Sequence, residues 1–272
     1  MSSPASSADR ALFSPSLLAG RCALVTGAGT GIGRGLAETF AAAGARVALA
    51  GRRRERLEEV ASAIRATGGE SLVVPVDVRD DAQCRAAIDA VVRHFGRLDD
   101  LVNNAGLFRL GTLASTSDED YELQMDANVR GPFQLARAAL QALGRGSCIL
   151  NIGSAVVRRP VLPEGVYVAT KHALAGFTRA WAAELAPRGI RVNCIHPGVV
   201  RSEIAAAAGL PAPENPTAFQ KVLDGLHPLG RMGEPADIAA AAAFLCSPLA
   251  SGITGAELDV DGGFGIGAIA LG

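Results

Sequence analysis

Short runs of apolar residues alternate with longer amphipathic stretches along almost the whole chain. The short runs, Cys22–Val25, Arg46–Ala50, Leu72–Val76, Asp100–Asn103, Cys148–Ile152, Val192–Ile195 and Glu257–Val260, have the length of strands and are mostly apolar at both alternating sets of positions. The stretches between them, Ile32–Ala43, Arg53–Ala66, Asp80–Phe95, Glu119–Leu143, Val166–Leu185 and Pro235–Leu245, repeat apolar residues at helical spacing. Strands with no polar face need cover on both sides, and a helix after each strand supplies it. The pattern therefore predicts an α/β fold, a doubly wound parallel sheet of seven strands with helices on both faces and right-handed crossovers. Ligands of such sheets collect at the carboxyl ends of the strands, so the residues just after each strand are the ones to read for chemistry. The segment from Arg201 to Pro228 breaks the rhythm with Pro211, Pro213 and Pro216. A connection that long predicts a lid or a binding loop, with disorder as the alternative.

Composition narrows the class. The 272 residues fit a single domain, read as 20–272 behind a flexible tail over 1–19, and 49% apolar content with few aromatics suits a large aliphatic core. The net charge is −1 and the arginines are spread along the chain, which gives no footprint for nucleic acid or an anionic membrane. Cys22, Cys84, Cys148, Cys194 and Cys246 form no CxxC pair and read as reduced core residues. The apolar stretch Ile238 to Cys246 is too short for a membrane span, and the Ser-rich start lacks a basic segment followed by an apolar one, so a cytoplasmic protein is expected. His94, His172, His196 and His227 are too scattered for a metal set, and no metal is expected.

The chain holds two tyrosines and two lysines, and one of each, Tyr167 and Lys171, stand four residues apart on one helical face. Random placement yields that spacing in about one shuffle in seventy. All other basic residues are arginine, so a retained lysine suggests chemistry that guanidinium cannot perform. An ammonium beside a phenol stabilises phenolate and lowers its pKa from about 10, making the hydroxyl a usable proton donor and acceptor. Ser154 ends the fifth strand, where its hydroxyl can donate to charge building on a substrate oxygen, although a lone serine there reads as a turn residue. Asn128 lies in the helix opened by Ser117, whose Ser-x-x-Asp arrangement with Asp120 has the form of a capping box. Pro132 has no amide hydrogen, so the Asn128 carbonyl loses its i+4 donor and is left to hold a water.

After the first strand, Thr26-Gly27-Ala28-Gly29-Thr30-Gly31-Ile32-Gly33 runs straight into a helix, and its glycines let pyrophosphate approach amides at the positive helix end. The spacing is TGxxxGIG. Together with Asn103-Asn104-Ala105-Gly106, Ser154, the Tyr167 and Lys171 pair, Pro197-Gly198-Val199-Val200-Arg201-Ser202, Ile253-Thr254-Gly255 and Asp261-Gly262-Gly263, it resembles the short-chain dehydrogenase/reductase family over roughly Arg21 to Gly265.

That resemblance implies a Rossmann-like fold and an NAD(P)-dependent oxidoreductase that exchanges hydride between nicotinamide and a secondary alcohol or ketone. Tyr167 would be the general acid or base and Ser154 would polarise the oxygen. Lys171 would lower the tyrosine pKa and bond the nicotinamide ribose, and the Asn128 main chain would link it through water to solvent. Cofactor contacts are implied at Gly27, Thr30, Gly31, Ile32 and Gly33, at Asp77 and Val78 near the adenine, at Asn104, Ala105 and Gly106, and at Pro197, Gly198, Val200 and Ser202 near the carboxamide. Ser202 replaces the family's usual threonine. The second strand ends in Gly51, Arg52, Arg53 and Arg54, where a carboxylate would hold a ribose 2′-hydroxyl. Arg52 and Arg53 suit a 2′-phosphate, which favours NADP(H) and leaves NAD(H) possible; a solvated helix start is the alternative. A 3-oxoacyl-thioester reductase and a sugar or polyol dehydrogenase are the nearest alternatives. A cofactor-sensing binding module or a nicotinamide-dependent epimerase or dehydratase lies further off. Arg109, Arg158 and Arg159 would meet an acidic substrate or face solvent, and Ala205–Ala208 with Leu210 suggest an apolar pocket wall. The family's pairing of the helices around Asn128 and Tyr167 implies a homotetramer or homodimer.

Overall fold

The computed structural model describes residues 16–201 and 216–267. Its strands are β1 (Cys22–Thr26), β2 (Arg46–Gly51), β3 (Ser71–Pro75), β4 (Asp100–Asn103), β5 (Cys148–Ile152), β6 (Arg191–Pro197) and β7 (Glu257–Val260). The helices are α1 (Gly31–Ala42), α2 (Arg54–Ala66), α3 (Asp81–Phe95), α4 (Asp118–Met125), α5 (Gly131–Ala139), α6 (Gly165–Leu185), α7 (Pro216–Gly225) and α8 (Pro235–Cys246). All seven strands are parallel in the order β3-β2-β1-β4-β5-β6-β7. The order reverses between β1 and β4, which places a ligand crevice at the carboxyl ends of those two strands.

Alternation along β1 explains why its strand carries no polar face. Ala23 and Val25 pack into a core with Leu36 and Phe40 of α1, Leu57 and Ile64 of α2, and Ile238 of α8. Cys22 and Leu24 point the other way, toward Ile88 and Val91 of α3, Leu135 of α5 and Leu185 of α6. Helix ends follow local chemistry: Asp80 caps α3 by accepting from the amides of Ala82 and Gln83, and Gly96 closes it at φ +78°. Below the sheet's amino end, Arg21 grips the fully buried Asp100 through two bonds of 2.8 and 2.7 Å.

The predicted boundaries hold to within two residues for every strand and for five of the six predicted helices. Four expectations change. The single helix expected over Glu119–Leu143 is broken: a π-turn, Asp126–Arg130, separates α4 from α5, with the Gly131 amide reaching back five residues to the Asp126 carbonyl. Pro132 cannot supply the usual donor, and the chain shifts its bonding by one residue ahead of it. Leu18, assigned to the tail, is fully buried and its amide donates to Ala43, so the ordered body begins earlier than residue 20. Helix α7 lies inside the connection read as irregular, because Pro216 marks a helix start rather than a break. Strand β3 ends at Pro75, one residue before the end of the run Leu72–Val76, so Asp77 stands two residues past the strand. Ser202, Ala205–Ala208 and Leu210 lie outside the described residues.

Candidate active site

The glycine-rich turn between β1 and α1 is shaped as a cradle. Gly27 and Gly31 have φ of +67° and +52°, a region that side chains with a Cβ avoid. A Cβ on Gly33 would stand 2.1 Å from the Gly27 carbonyl oxygen and 2.6 Å from the Asn104 amide nitrogen. Thr30 precedes α1 without a side-chain cap bond and the first turn has no acidic residue, so the positive helix end keeps its amides for an anion. Ile32, partly buried in that first turn, packs against the core. Thr26 secures the opposite wall: its hydroxyl accepts the amides of Asn104 and Ala105, both at 2.9 Å, while the Asn104 side chain donates to the Thr26 carbonyl at 2.8 Å. These are the features a dinucleotide pyrophosphate requires of the turn.

Arg52 and Arg53 stand exposed at the end of β2. Their neighbours Arg54 and Arg56 pair with Glu58 and Glu59 on α2, whereas Arg52 and Arg53 make no salt bridge among the described residues. Asp77 stands two residues beyond β3. Its carboxylate is engaged by Arg79 through a fork with contacts of 2.5 to 3.1 Å, which holds its pKa below the ordinary carboxylate value against the cost of partial burial. Val78 is buried and lies against Gly131, where a Cβ would approach it to 2.9 Å.

At the chemical end, a ladder of amides fixes α6 in phase with the sheet. Asn103 of β4 donates to Asn151 of β5 at 2.9 Å, and Asn151 donates to Thr178 of α6 at 2.9 Å. Lys171, two turns earlier on α6, is buried and donates to the Ile152 carbonyl at 2.9 Å. Tyr167 lies one turn before it, beside the Ser154 hydroxyl and edge-on to Phe108 with ring centres 5.7 Å apart. Asn128 sits in the π-turn with its side chain fully used: it accepts the Leu107 amide and donates to the Leu107 carbonyl and the Thr170 hydroxyl. Gly106 permits the approach, since a Cβ there would lie 3.1 Å from Asn128 Oδ1 and 3.8 Å from Lys171 Nζ.

The expected lowering of the Tyr167 pKa by Lys171 is not what this geometry produces. Burial pushes the phenol up to about 12, against the opposing Ser154 hydrogen bond, and half-buried Glu164 adds to the rise. Burial likewise pushes Lys171 down to about 8. The ammonium spends a hydrogen bond on Ile152 and lies 5.4 Å from the tyrosine ring centre, so desolvation outweighs its attraction for a phenolate. The result is a tyrosine that holds its proton, as a donor to a carbonyl oxygen must.

Pro197, Gly198 and Val200 lie at the end of β6 and just beyond. A Cβ on Gly198 would stand 2.8 Å from the Asp261 carbonyl oxygen, so the turn Asp261-Gly262-Gly263 closes directly on it. Loops after β4 and β5 join across the site through the Gly111 amide and Pro163 carbonyl at 2.8 Å. The arginines considered for an acidic substrate are engaged within the protein. Arg109 pairs with Asp120 at 3.6 Å, Arg158 with Asp259 and Glu257, and Arg159 lies over the Phe264 ring at 5.4 Å. Asp100, Cys148 and Cys246 form a buried cluster of possible metal ligands, but the carboxylate is taken by Arg21 and the cluster lies at the far end of the strands. Thr26, Glu164 and His196 were not foreseen as site residues. Thr26 carried one legible signal, its place directly before the glycine turn.

No helix among the described residues is long and apolar enough to cross a membrane. Residues 27–265 match a family model described as Enoyl-(Acyl carrier protein) reductase. The galactitol 2-dehydrogenase (L-tagatose-forming) of Cereibacter sphaeroides is 42% identical, covering 91% of this chain and 96% of its own. The A-factor type gamma-butyrolactone 1'-reductase of Streptomyces virginiae is also 42% identical, covering 92% and 97%. A solved short-chain dehydrogenase/reductase from Serratia marcescens superposes with a TM-score of 0.84 at 37% identity, covering 92% of this chain and 99% of its own. A short chain dehydrogenase from Burkholderia cenocepacia in complex with NADP gives 0.83 at 36% identity, covering 90% and 98%. The 3-ketoacyl-(acyl-carrier-protein) reductase of Brucella melitensis complexed with NADH also gives 0.83 at 36% identity, covering 91% and 99%. With these likenesses spanning nearly the whole chain and the same fold beneath them, the protein is an oxidoreductase of the short-chain dehydrogenase/reductase family.

Proposed function

We propose that the chain interconverts a secondary alcohol and its ketone with NADP(H) as the preferred cofactor, Tyr167 serving as general acid and base. The observation that carries this reading is the placing of the Ser154 hydroxyl beside Tyr167, with Lys171 one turn along α6, at the carboxyl edge of the sheet beside the glycine cradle. Gly27, Thr30, Gly31, Ile32 and Gly33 would hold the pyrophosphate, and Asn104, Ala105 and Gly106 would line the cleft. Asp77 and Val78 would border the adenine, and Pro197, Gly198, Val200 and Ser202 the carboxamide. Arg52 and Arg53, exposed and without salt bridges among the described residues, are free to grip a 2′-phosphate. A bound nicotinamide supplies or accepts the hydride.

In the reductive direction Tyr167 donates its phenolic proton to the carbonyl oxygen, and Ser154 donates a hydrogen bond to the same oxygen as charge builds there. Lys171, as a buried cation, steadies the phenolate that remains. The Asn128 carbonyl holds the water through which that proton is replaced. In oxidation the same groups run in reverse. Leu110 and Leu162, exposed on the two loops joined across the site, support a substrate with an apolar body over a polyol. The five cysteines are all free and buried, which supports a reducing cytoplasmic setting. A homotetramer or homodimer built on α5 and α6 is proposed with it, because those helices carry the row Phe133, Phe177 and Trp181. Light scattering measures it.

The test is a panel of cyclic ketones, 3-oxo esters, secondary alcohols and polyols, followed at the nicotinamide absorbance with NADPH, NADH and their oxidised forms. Tyr167→Phe keeps the ring and removes the proton, and should lower turnover by at least about 10²-fold. Wild-type turnover in that variant rejects the assignment.

A further inference from the structure

We propose that His196 is a positioning residue for Ser154: its ring holds the backbone on which the hydroxyl stands, and Glu257 holds the ring. The proposal rests on the reading of Ser154 as the group that polarises the substrate oxygen.

The imidazole is fully buried on β6. Its Nδ1 receives the Ser154 backbone N–H at 3.2 Å, and its Nε2 stands 3.1 Å from a carboxylate oxygen of Glu257 on β7. A backbone amide only donates, so Nδ1 must present its lone pair, and the ring proton then lies on Nε2, directed at Glu257. One neutral tautomer satisfies both contacts. The imidazolium would place a second hydrogen on Nδ1, facing the Ser154 N–H. Burial favours the neutral ring, and the facing groups are accounted for: Cys194 Sγ lies 3.9 Å from Nδ1 with its thiol kept neutral by burial, and Glu257 and Asp259 lie on β7. Arg158 from the turn after Ser154 and Arg179 from α6 neutralise Glu257.

The same network holds the other end of the Ser154 turn. Arg158, just after the single turn Ala155–Val157, pairs with Asp259 at 3.1 Å and Glu257 at 3.2 Å. Within the turn, Ser154 Oγ accepts the Val156 amide at 3.3 Å, which leaves its own hydrogen to be directed at another oxygen. The ring has room because residue 153 is glycine: a Cβ there would stand 2.2 Å from Nδ1. Both ring nitrogens are used inside the protein, so His196 acts through Ser154 and not on the substrate.

The experiment measures kcat with NADPH and the fastest ketone of the panel, NADPH affinity by fluorescence titration, and Tm. His196→Leu removes both contacts and should lower kcat about 10²-fold through a displaced hydroxyl, with NADPH affinity unchanged. His196→Asn, whose amide oxygen sits where Nδ1 was and can take the Ser154 N–H, should recover most of the loss. In a Ser154→Ala background, His196→Leu should cost less than about twofold, because a residue that acts through another has nothing left to position. Full turnover in His196→Leu, an Asn variant as slow as the Leu variant, or the whole loss repeated in the Ser154→Ala background overturns the proposal. Should His196→Leu fail to fold, His196→Gln takes its place, being polar but without an acceptor at the Nδ1 position, and the same outcomes apply. Wild-type turnover in Ser154→Ala alone removes Ser154 from the chemistry and takes this proposal with it, whereas the other adverse results overturn only the positioning role.

Discussion

The side-chain nitrogen of Lys171 donates to the Ile152 carbonyl at 2.9 Å and stands 5.4 Å from the centre of the Tyr167 ring. Both groups are shifted by burial in opposite senses, the phenol up to about 12 and the amine down to about 8. A phenol with a raised pKa keeps its proton through neutrality, which suits an acid. An amine with a lowered pKa surrenders its charge as pH rises through about 8. The kcat/KM for ketone reduction should therefore be level near neutrality and fall above about pH 8, while alcohol oxidation, which needs the phenolate, should climb with pH. Profiles in both directions check this; reduction unchanged up to about pH 10 would show that the charge on Lys171 is immaterial.

Pro132 and the π-turn at Asn128 make a second prediction. Pro132→Ala supplies the missing amide, so the turn should relax toward regular helix and the Asn128 carbonyl should gain a backbone partner. Turnover should drop with little change in Tm. A crystal structure of the variant that retains the π-turn, alongside unchanged turnover, would separate the proline from the geometry.

Arg52 lies exposed at the end of β2, at the place where a carboxylate would select against a phosphate. Arg52→Ala should raise KM for NADPH at least about tenfold and leave KM for NADH nearly unchanged, the loss expected for one charge-assisted contact. Steady-state kinetics with both cofactors decides it, and equal effects on the two would refute the NADP assignment.

Arg21 and Asp100 form a pair whose carboxylate is wholly buried. Burial outweighs the guanidinium and lifts Asp100 to about 6. Removing the arginine strands that charge, so Arg21→Ala should cost about 3 to 5 kcal/mol at neutral pH. The native carboxyl takes up a proton at higher pH than the unfolded one, so the native state gains as pH falls. Without the arginine the carboxyl takes up its proton at still higher pH, so the deficit should shrink as pH falls toward about 6 and level off below it. Urea midpoints at pH 7.5 and pH 5 measure both quantities; a deficit that grows on acidification contradicts the account.

Much of the architecture was legible because its signals are local. A run such as Cys22–Val25, apolar at every position, has only one kind of home, a sheet covered on both faces, and the helix after it supplies the cover. The glycine turn and the tyrosine and lysine pair were legible because backbone approach and helical periodicity act over a few residues. The break at Asn128 was half legible: Pro132 revealed the missing donor, but the periodicity of the flanking residues concealed a change from one continuous helix to α, π and α.

The order of apolar and polar residues by itself determined the class of fold, the edge of the sheet where chemistry gathers, and the residue types that meet there. Only the tertiary structure decided how those residues are charged and held. The Tyr167 proton follows from desolvation, which is set by everything packed around the phenol and not by a neighbour four positions away. His196 found Ser154 and Glu257 because hydrogen-bonding groups buried together must satisfy one another across strands distant in sequence.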